Sequence, residues 1–325
     1  MADEGPGYFA ALDALFGVDR VNHGDPDEPY EWKWSADAAV AGNDVQLRLA
    51  DGSNHLMAHH VWQSALTLAE EICCRRIEVQ DKTVVELGAG AALPSIAARR
   101  LGAKAVVASD YPEDSIVANM ARNLEENAMP ELDRPAKAVG FGWGTSVDAL
   151  AAAIPSEEAA DDAPAAAFDL IIMADTLWLR DQHHNLLTSC RDLMLQNGTP
   201  DVRAILTFMN HDNGQGVAEG FFKLAENQYE LEVVEKRVIA WRRTADGEID
   251  ENGYESDSSD PETYGPVYLR VLAPSASLLE KMKARNTPGQ PAVVGTTPTE
   301  ERTPEDAGSA SVANGSSTAA GAGSS

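Results

Sequence analysis

The segment 84–90 constrains the fold most, because it is an apolar run that ends in the glycine turn Gly88-Ala89-Gly90. Twenty residues after Gly90, Asp110 closes a second apolar run at 105–109. A strand that enters a glycine turn and a helix, followed by a strand with a terminal carboxylate, is typical of parallel α/β units that bind a nucleoside-containing cofactor. We therefore expect an α/β domain whose ligand lies at the carboxyl ends of its strands.

The residues around the glycine turn favour S-adenosylmethionine over a dinucleotide as the cofactor. A dinucleotide fingerprint requires a third glycine at position 93, where this chain has Leu93. Gly88 and Gly90 let a ligand approach the backbone, where a Cβ would collide with it. Glu86, just before the turn, is typical of S-adenosylmethionine sites. The pattern therefore predicts an S-adenosylmethionine-dependent methyltransferase.

Two further residues are candidates for the nucleoside. Asp110 can accept both ribose hydroxyl hydrogens, although an aspartate there could also cap a helix beginning near Pro112. Trp143, between Gly142 and Gly144, could stack on the adenine ring or serve as a core residue that anchors its loop. The residues alone leave the two interpretations of Trp143 evenly balanced.

The candidate acceptor residues follow the apolar run 168–174. Asp175 is expected to orient a nucleophilic amine, with helix capping as the alternative. The Asn/Asp-Pro-Pro-Tyr motif of enzymes that methylate adenine or glutamine is absent at this point, which disfavours those acceptors. Trp62 is expected to cover the methionine end of the cofactor, and His211 is expected either at the substrate mouth or in a solvent-facing loop.

Strand and helix patterns alternate along the middle of the chain, which predicts a parallel sheet covered by helices. The last two strand patterns have no helix between them and predict an antiparallel hairpin at the sheet edge. The predicted strands are a small one at 45–49, followed by 83–87, 104–109, 136–140, 168–174, 203–209, 229–238 and 264–272. The predicted helices are 61–74, 92–101, 114–127, 145–153, 181–195 and 214–227.

Composition divides the chain into three parts. Residues 1–44 are predicted to be a partly disordered arm, mostly loop, with a short helix at 9–16. Residues 45–273 are predicted to form the methyltransferase domain, interrupted by an acidic insertion at 246–262 that lacks Lys and Arg. Residues 274–325, rich in Gly, Ser, Thr, Ala and Pro, are predicted to be a disordered low-complexity tail.

Charge and composition exclude several classes of partner. The net charge of −27, from 25 basic and 52 acidic residues, would repel a nucleic-acid backbone. It would either attract a basic protein or serve solubility alone, and the charge does not distinguish the two. No apolar run approaches the ~20 residues that span a bilayer. The three cysteines lack CxxC spacing, and the adjacent histidines of 59–60 and 183–184 point in different directions, so no metal site is predicted. We expect a cytoplasmic monomer.

The motifs together resemble the fungal nicotinamide N-methyltransferase-like proteins, a branch of the lysine-methyltransferase-like class I methyltransferases with a seven-stranded sheet. The resemblance covers about residues 45–272. It rests on the segments 59–62, 85–90 with 93–95, 109–112, 142–144 and 168–172 with 183–184. It implies S-adenosylmethionine contacts at Trp62, Gly88, Ala89, Gly90, Asp110, Trp143 and Ala174.

The resemblance also implies a substrate class. The best understood branch is similar to the enzyme that methylates the N-terminal glycine and a nearby lysine of translation elongation factor 1-alpha. This chain departs from the family at Ala174, where serine is usual, and at Trp178, where Phe or Tyr is usual in the acceptor channel. After the fifth strand, where the family has a His-His-Arg-Pro-like segment, this chain has only Asn210-His211-Asp212. The alternatives are a nicotinamide-type small-molecule N-methyltransferase and a non-catalytic binding module.

Overall fold

A computed structural model of the chain describes residues 29–33, 44–50, 58, 60–129, 134–154, 167–210, 216–239 and 267–285. The predicted helix at 9–16, His211, the acidic insertion 246–262 and the tail beyond residue 285 lie outside these ranges. Within them, no helix combines the length and the apolar character that crossing a bilayer requires.

A seven-stranded sheet forms the centre of the described structure. Its order is β5-β4-β3-β6-β7-β9-β8. The strands are β3 (Thr83–Leu87), β4 (Ala105–Asp110), β5 (Ala136–Gly140), β6 (Leu170–Ala174), β7 (Arg203–Phe208), β8 (Leu231–Ile239) and β9 (Val267–Pro274). This order confirms the predicted class I fold, and the predicted strand bounds differ from the observed ones by three residues at most.

The parallel part of the sheet places the ligand site. β3 pairs in parallel with both β4 and β6, and all five residues of β3 and of β6 are buried. Strand order reverses at β3, because β4 and β5 lie on one side of it and β6 and β7 on the other. Crevices at such a reversal, outside the carboxyl ends of the strands, are the usual ligand sites of open α/β sheets.

The hairpin predicted at the sheet edge is also present. β9 pairs antiparallel with β7 and with β8, and β8 carries an irregularity between Val233 and Glu235. Because β8 is the last strand in the order, its outer backbone groups have no neighbouring strand in the described sheet.

Helices pack on both faces of the sheet, and the longer ones bury an apolar stripe. In the helix Asp114–Glu126, for example, Ile116, Met120 and Leu124 recur every four residues and are buried. The helices are α1 (Gln63–Cys73), α2 (Leu93–Arg100), α3 (Asp114–Glu126), α4 (Asp148–Ala151), α5 (His183–Asn197), α6 (Val217–Gln228) and α7 (Ala276–Arg285). The helix predicted at 145–153 is reduced to the single turn of α4.

The prediction that the arm outside residues 9–16 is loop is wrong at one place. β1 (Tyr30–Trp32) pairs antiparallel with β2 (Val45–Leu47), and Trp32 is buried. The domain therefore includes a strand from before residue 45. Sequence reasoning missed it because three residues are too few to show an alternating pattern.

The prediction that the tail begins at residue 274 is wrong as well. α7 follows β9 directly, and its Leu278 and Met282 are 0% and 1% exposed. These two side chains are four residues apart and so lie on the same face of the helix. The domain therefore extends to Arg285, and the composition of the following segment concealed this helix.

Replacing Leu278 with alanine tests the importance of α7. Because Leu278 is fully buried, Leu278→Ala is expected to lower the free energy of unfolding by about 2–4 kcal/mol. Chemical denaturation measures this loss, and Lys283→Ala on the exposed side of the same helix is the control. Equal stability of the two variants would show that α7 does not belong to the core.

Candidate functional site

A cavity of about 320 Å³ lies at the carboxyl ends of the parallel strands and brings the predicted site residues together. The nine candidates that line it are Trp62, Gly88, Ala89, Gly90, Asp110, Trp143, Ala174, Asp175 and Trp178. The lining residues that were not among them are Ala58, Ala65, Glu86, Tyr111, Phe141, Gly142, Thr176, Leu179 and Gln182. Residues from five separate segments, 58–65, 86–90, 110–111, 141–143 and 174–182, therefore converge on one site.

The glycine turn between β3 and α2 forms one wall of the cavity. Gly88 has φ +78°, and a Cβ added there would lie 2.9 Å from Thr176 Cγ2 and 3.1 Å from Trp143 Cζ2. The turn contains two more left-handed residues, Gly90 at φ +52° and Ala92 at φ +63°. Only glycine fits at position 88, because both its conformation and the space around it exclude a side chain.

Asp110 fixes the turn from the end of β4. Its Oδ2 accepts a hydrogen bond from the Gly90 N–H at 2.8 Å, and its Oδ1 accepts one from the Tyr111 N–H at 2.6 Å. Burial raises the pKa of this carboxyl, whereas the two backbone donors lower it. Each oxygen has a second lone pair, so both can still accept a hydroxyl hydrogen.

The capping alternative for Asp110 does not hold. α3 begins at Asp114, and its N-cap residue is Glu113, three positions beyond Asp110. Neither side-chain bond of Asp110 reaches into that helix.

Glu86 is a functional candidate that sequence reasoning used only as a sign of the cofactor type. It lines the cavity but is 1% exposed, and its Oε2 accepts hydrogen bonds from Ser95 N at 3.0 Å and Ser95 Oγ at 2.5 Å. Burial raises its pKa from 4.5 to about 8; the Ser95 bonds act in the opposite direction, and the charge of Asp110 adds to the rise. Glu86 is therefore neutral at pH 7, beside the ionisable Asp110.

A raised carboxyl pKa makes stability depend on pH in a defined direction. Between pH 4.5 and 8 the folded protein keeps a proton on Glu86 that the unfolded chain releases, so stability falls as pH rises through this window. One such proton changes the free energy of unfolding by roughly 1.4 kcal/mol per pH unit at most. Glu86→Gln removes this proton, so the variant is expected to gain stability relative to the wild type from pH 5 to pH 8. Urea denaturation across this range measures the difference, and a constant difference would contradict the assignment.

The loop that carries Trp143 is held on α5. The Gly144 N–H donates to Ser189 Oγ at 2.8 Å, and a Cβ at Gly144 would lie 2.7 Å from Asn185 Oδ1. The Trp143 indole is half-buried, packs on the core beside that helix and lies against Gly88. It therefore anchors its loop and also presents part of its surface to the cavity.

The segment after β6 forms the opposite wall. Asp175 is 4% exposed and has φ +53°, a conformation that aspartate adopts more readily than most residues. Its N–H donates to Thr207 O at 2.8 Å, and its Oδ1 accepts from Met209 N at 3.4 Å. The capping alternative fails here too, because the next helical turn, Arg180–Gln182, starts five residues later. Trp178 lies between them and is half-buried.

The described members of the two histidine pairs, His60, His183 and His184, do not line the cavity. Buried His183 makes a 2.8 Å hydrogen bond through Nε2 to Leu177 O and lies edge-on to Phe221, and burial lowers its pKa. His184 Nδ1 pairs with Tyr229 Oη at 2.9 Å. In the part of the chain that the structure describes, no group of three or more His, Cys, Asp or Glu side chains could hold a metal ion.

The cavity fits an adenosine-containing cofactor. It has a turn that admits a ligand but no Cβ, a carboxylate with free lone pairs 20 residues further on, and an aromatic ring against the same glycine. Its lining also includes the apolar residues Ala65, Phe141 and Leu179. Ligand sites commonly combine such apolar walls with a few placed polar groups.

Comparison with known proteins agrees with this geometry. The sequence profile described as "Lysine methyltransferase" matches residues 42–228. The chain is 33% identical to a protein N-terminal and lysine N-methyltransferase of Eremothecium gossypii over 214 residues, 61% of this chain and 76% of that protein. Similarly named proteins of Gibberella zeae and Candida albicans are 32% and 28% identical, over 61% and 71% of this chain and 75% and 83% of theirs. With its fold and its cavity, the chain thus belongs to the lysine methyltransferase family and is an enzyme that uses S-adenosylmethionine as its methyl donor.

Proposed function

We propose that this enzyme methylates a protein amine, an N-terminal amine or a lysine, and that translation elongation factor 1-alpha is its substrate. The observation that carries the proposal is that a buried carboxylate, Asp175, and an aromatic side chain, Trp178, line the same cavity as the glycine turn. The names of the relatives, protein N-terminal and lysine N-methyltransferases, support the class of acceptor.

The cofactor roles are assigned by position in the cavity. Asp110 accepts hydrogen bonds from the ribose hydroxyls, and Trp143 covers the adenine. The turn 88–90 and Trp62 hold the methionine end, and Ala174 contributes a backbone contact, so the change from serine at this position removes nothing essential. When bound, S-adenosylmethionine supplies a methyl group on a positively charged sulfur, and this chain's residues only have to position the two reactants.

Asp175 and Trp178 act on the acceptor. A protonated amine must lose a proton before its nitrogen can act as a nucleophile. A carboxylate at the end of β6 can orient the neutral amine and stabilise the positive charge that develops on its nitrogen as the new bond forms. An aromatic face suits an ammonium or methylated amine through cation–π attraction. The larger indole of Trp178 narrows the channel relative to the Phe or Tyr usual in the family.

Asp175→Asn tests the acceptor role without disturbing the backbone, because asparagine tolerates the left-handed conformation as well as aspartate. Loss of the charge is expected to lower kcat roughly 10- to 100-fold, while the affinity for S-adenosylhomocysteine stays within about twofold of the wild type. Steady-state kinetics and calorimetry measure the two quantities. Weakened cofactor binding with an unchanged kcat would assign Asp175 to the cofactor instead.

The substrate is tested with purified components. Elongation factor 1-alpha produced without its methyl groups is incubated with the enzyme and S-adenosylmethionine, and the modified residue is located by tandem mass spectrometry. We expect methylation at the N-terminal amine or at a lysine near it, and none with the Asp110→Ala enzyme. Methylation of nicotinamide in a parallel reaction, with elongation factor unchanged, would favour the small-molecule alternative.

The proposed setting follows from the same considerations. An acidic chain with net charge −27 attracts a basic protein partner. We propose that the enzyme acts as a monomer in the cytoplasm, where translation factors are found. Size-exclusion chromatography with light scattering tests the monomeric state, and a dimer mass would contradict it.

A further inference from the structure

Three asparagines bind the backbone of β2 and of Arg48, the residue that follows it. Asn119 and Asn123 belong to α3, Asn127 is its C-cap residue, and the three are spaced four residues apart. Asn123 accepts from Arg48 N at 2.7 Å and donates to Arg48 O at 2.8 Å, and Asn119 also donates to Arg48 O at 2.9 Å. Asn127 makes the same pair of bonds with Gln46, at 3.1 and 2.8 Å. An amide side chain can do this because, like the backbone, it carries both a donor and an acceptor.

Asn123 differs from the other two in that it also binds the loop that follows the glycine turn. Its Nδ2 also donates to Ala91 O at 3.0 Å, and the whole side chain is 0% exposed. Both amide hydrogens are thus used, one on Arg48 O directly after β2 and one on the loop that leads from the glycine turn into α2. One side chain therefore links the N-terminal strand pair to the cofactor turn.

The carbonyl that Asn123 holds lies next to a strained residue. Ala92 has φ +63°, a left-handed conformation that is unfavourable for alanine, and its N–H donates to Ala89 O at 2.7 Å. Such a conformation persists only where its surroundings enforce it. The same short loop must keep the Gly90 N–H directed at Asp110 Oδ2. The hydrogen bond from Asn123 to Ala91 O therefore restrains the backbone directly beside the strained residue Ala92.

We propose that Asn123 is a positioning residue for S-adenosylmethionine: it holds the glycine turn in its strained, binding-competent conformation through Ala91 O. The proposal rests on the cofactor assignment above. Asn123 lines no part of the cavity and so acts only through the turn. Without this bond, the turn is free to relax at Ala92, and Gly90 then loses its alignment with Asp110.

Asn123→Ala is compared with Asn127→Ala in calorimetric titrations with S-adenosylhomocysteine. Asn123→Ala loses two hydrogen bonds to Arg48 and Asn127→Ala loses two to Gln46, but Asn127 makes none to the glycine turn, so it controls for lost stability. The Asn123 variant is expected to bind about tenfold more weakly, the equivalent of one lost buried hydrogen bond, and the Asn127 variant within twofold of the wild type. KM for S-adenosylmethionine is expected to rise in parallel, while kcat at saturation stays near that of the wild type. Partial unfolding would instead lower kcat.

A second substitution tests whether Asn123 acts by restraining the strained conformation at Ala92. Ala92→Gly removes the strain that this restraint opposes, so Asn123→Ala with Ala92→Gly is expected to recover most of the tenfold loss. Equal binding by the Asn123 and Asn127 variants, or no recovery with Ala92→Gly, overturns the proposal. If the wild type itself fails to bind S-adenosylhomocysteine, the cofactor assignment fails instead. Should Asn123→Ala be recovered unfolded, Asn123→Ser is measured in its place, and the same outcomes apply.

Discussion

Replacement of Gly88 by valine is expected to abolish binding of S-adenosylhomocysteine. A Cβ at this position would lie 2.9 Å from Thr176 Cγ2 and 3.1 Å from the Trp143 ring, closer than carbon atoms approach without displacement. The backbone at φ +78° is also closed to a β-branched residue. The turn would have to move and the indole would be displaced into the cavity, so the space for the cofactor is lost on two sides.

Gly102→Val is the matched control for this variant. Gly102 also has a left-handed backbone, at φ +90°, but a Cβ there would meet only the Gln80 side chain at 3.7 Å, and the residue does not line the cavity. Both variants are therefore expected to lose thermal stability, and only Gly88→Val to lose binding in calorimetry. Retained binding by a folded Gly88→Val protein would show that the ligand does not lie against this turn.

Asp110→Ala carries the second large expected effect. Hydrogen bonds to a charged group contribute about 1.5–3 kcal/mol each, so losing two ribose contacts weakens cofactor binding roughly 100-fold or more. The substitution also removes the acceptor for the Gly90 N–H, which loosens the turn. Isothermal titration with S-adenosylhomocysteine measures the affinity.

Two variants separate these contributions. Asp110→Asn keeps the shape and one acceptor oxygen and is expected to lose less affinity than Asp110→Ala. Asp114→Ala, in the exposed first turn of α3, is expected to bind as the wild type does. If Asp110→Ala bound the cofactor as tightly as Asp114→Ala, the ribose assignment would be wrong.

Local patterns were sufficient to predict the sheet and most of the site. β6 is a uniformly apolar run, and apolar residues predominate in β3 and β7; such short runs predict buried parallel strands. The candidate site could be predicted because the carboxyl ends of parallel strands meet at one edge. Gly88 and Asp175 directly follow β3 and β6, Asp110 ends β4, and the structure places all three on one cavity.

What the sequence could not show depends on contacts between distant segments. The link from Asn123 to Arg48 spans 75 residues and the one to Ala91 spans 32, and neither leaves a pattern that a window of sequence can detect. The raised pKa of Glu86 comes from burial that only the packed structure creates. α7 was missed because its four-residue apolar spacing is brief and a polar, low-complexity segment follows it.

The most direct test of the proposed activity is transfer of labelled methyl groups from S-adenosylmethionine into a cell extract that lacks this enzyme. The extract is separated into protein and low-molecular-mass fractions after incubation with wild-type or Asp110→Ala enzyme, and labelled protein is identified by mass spectrometry. We expect the wild type to label an N-terminal amine or a lysine of a basic protein, and Asp110→Ala to label none. Label confined to low-molecular-mass material, or equal labelling by the two enzymes, would contradict the account.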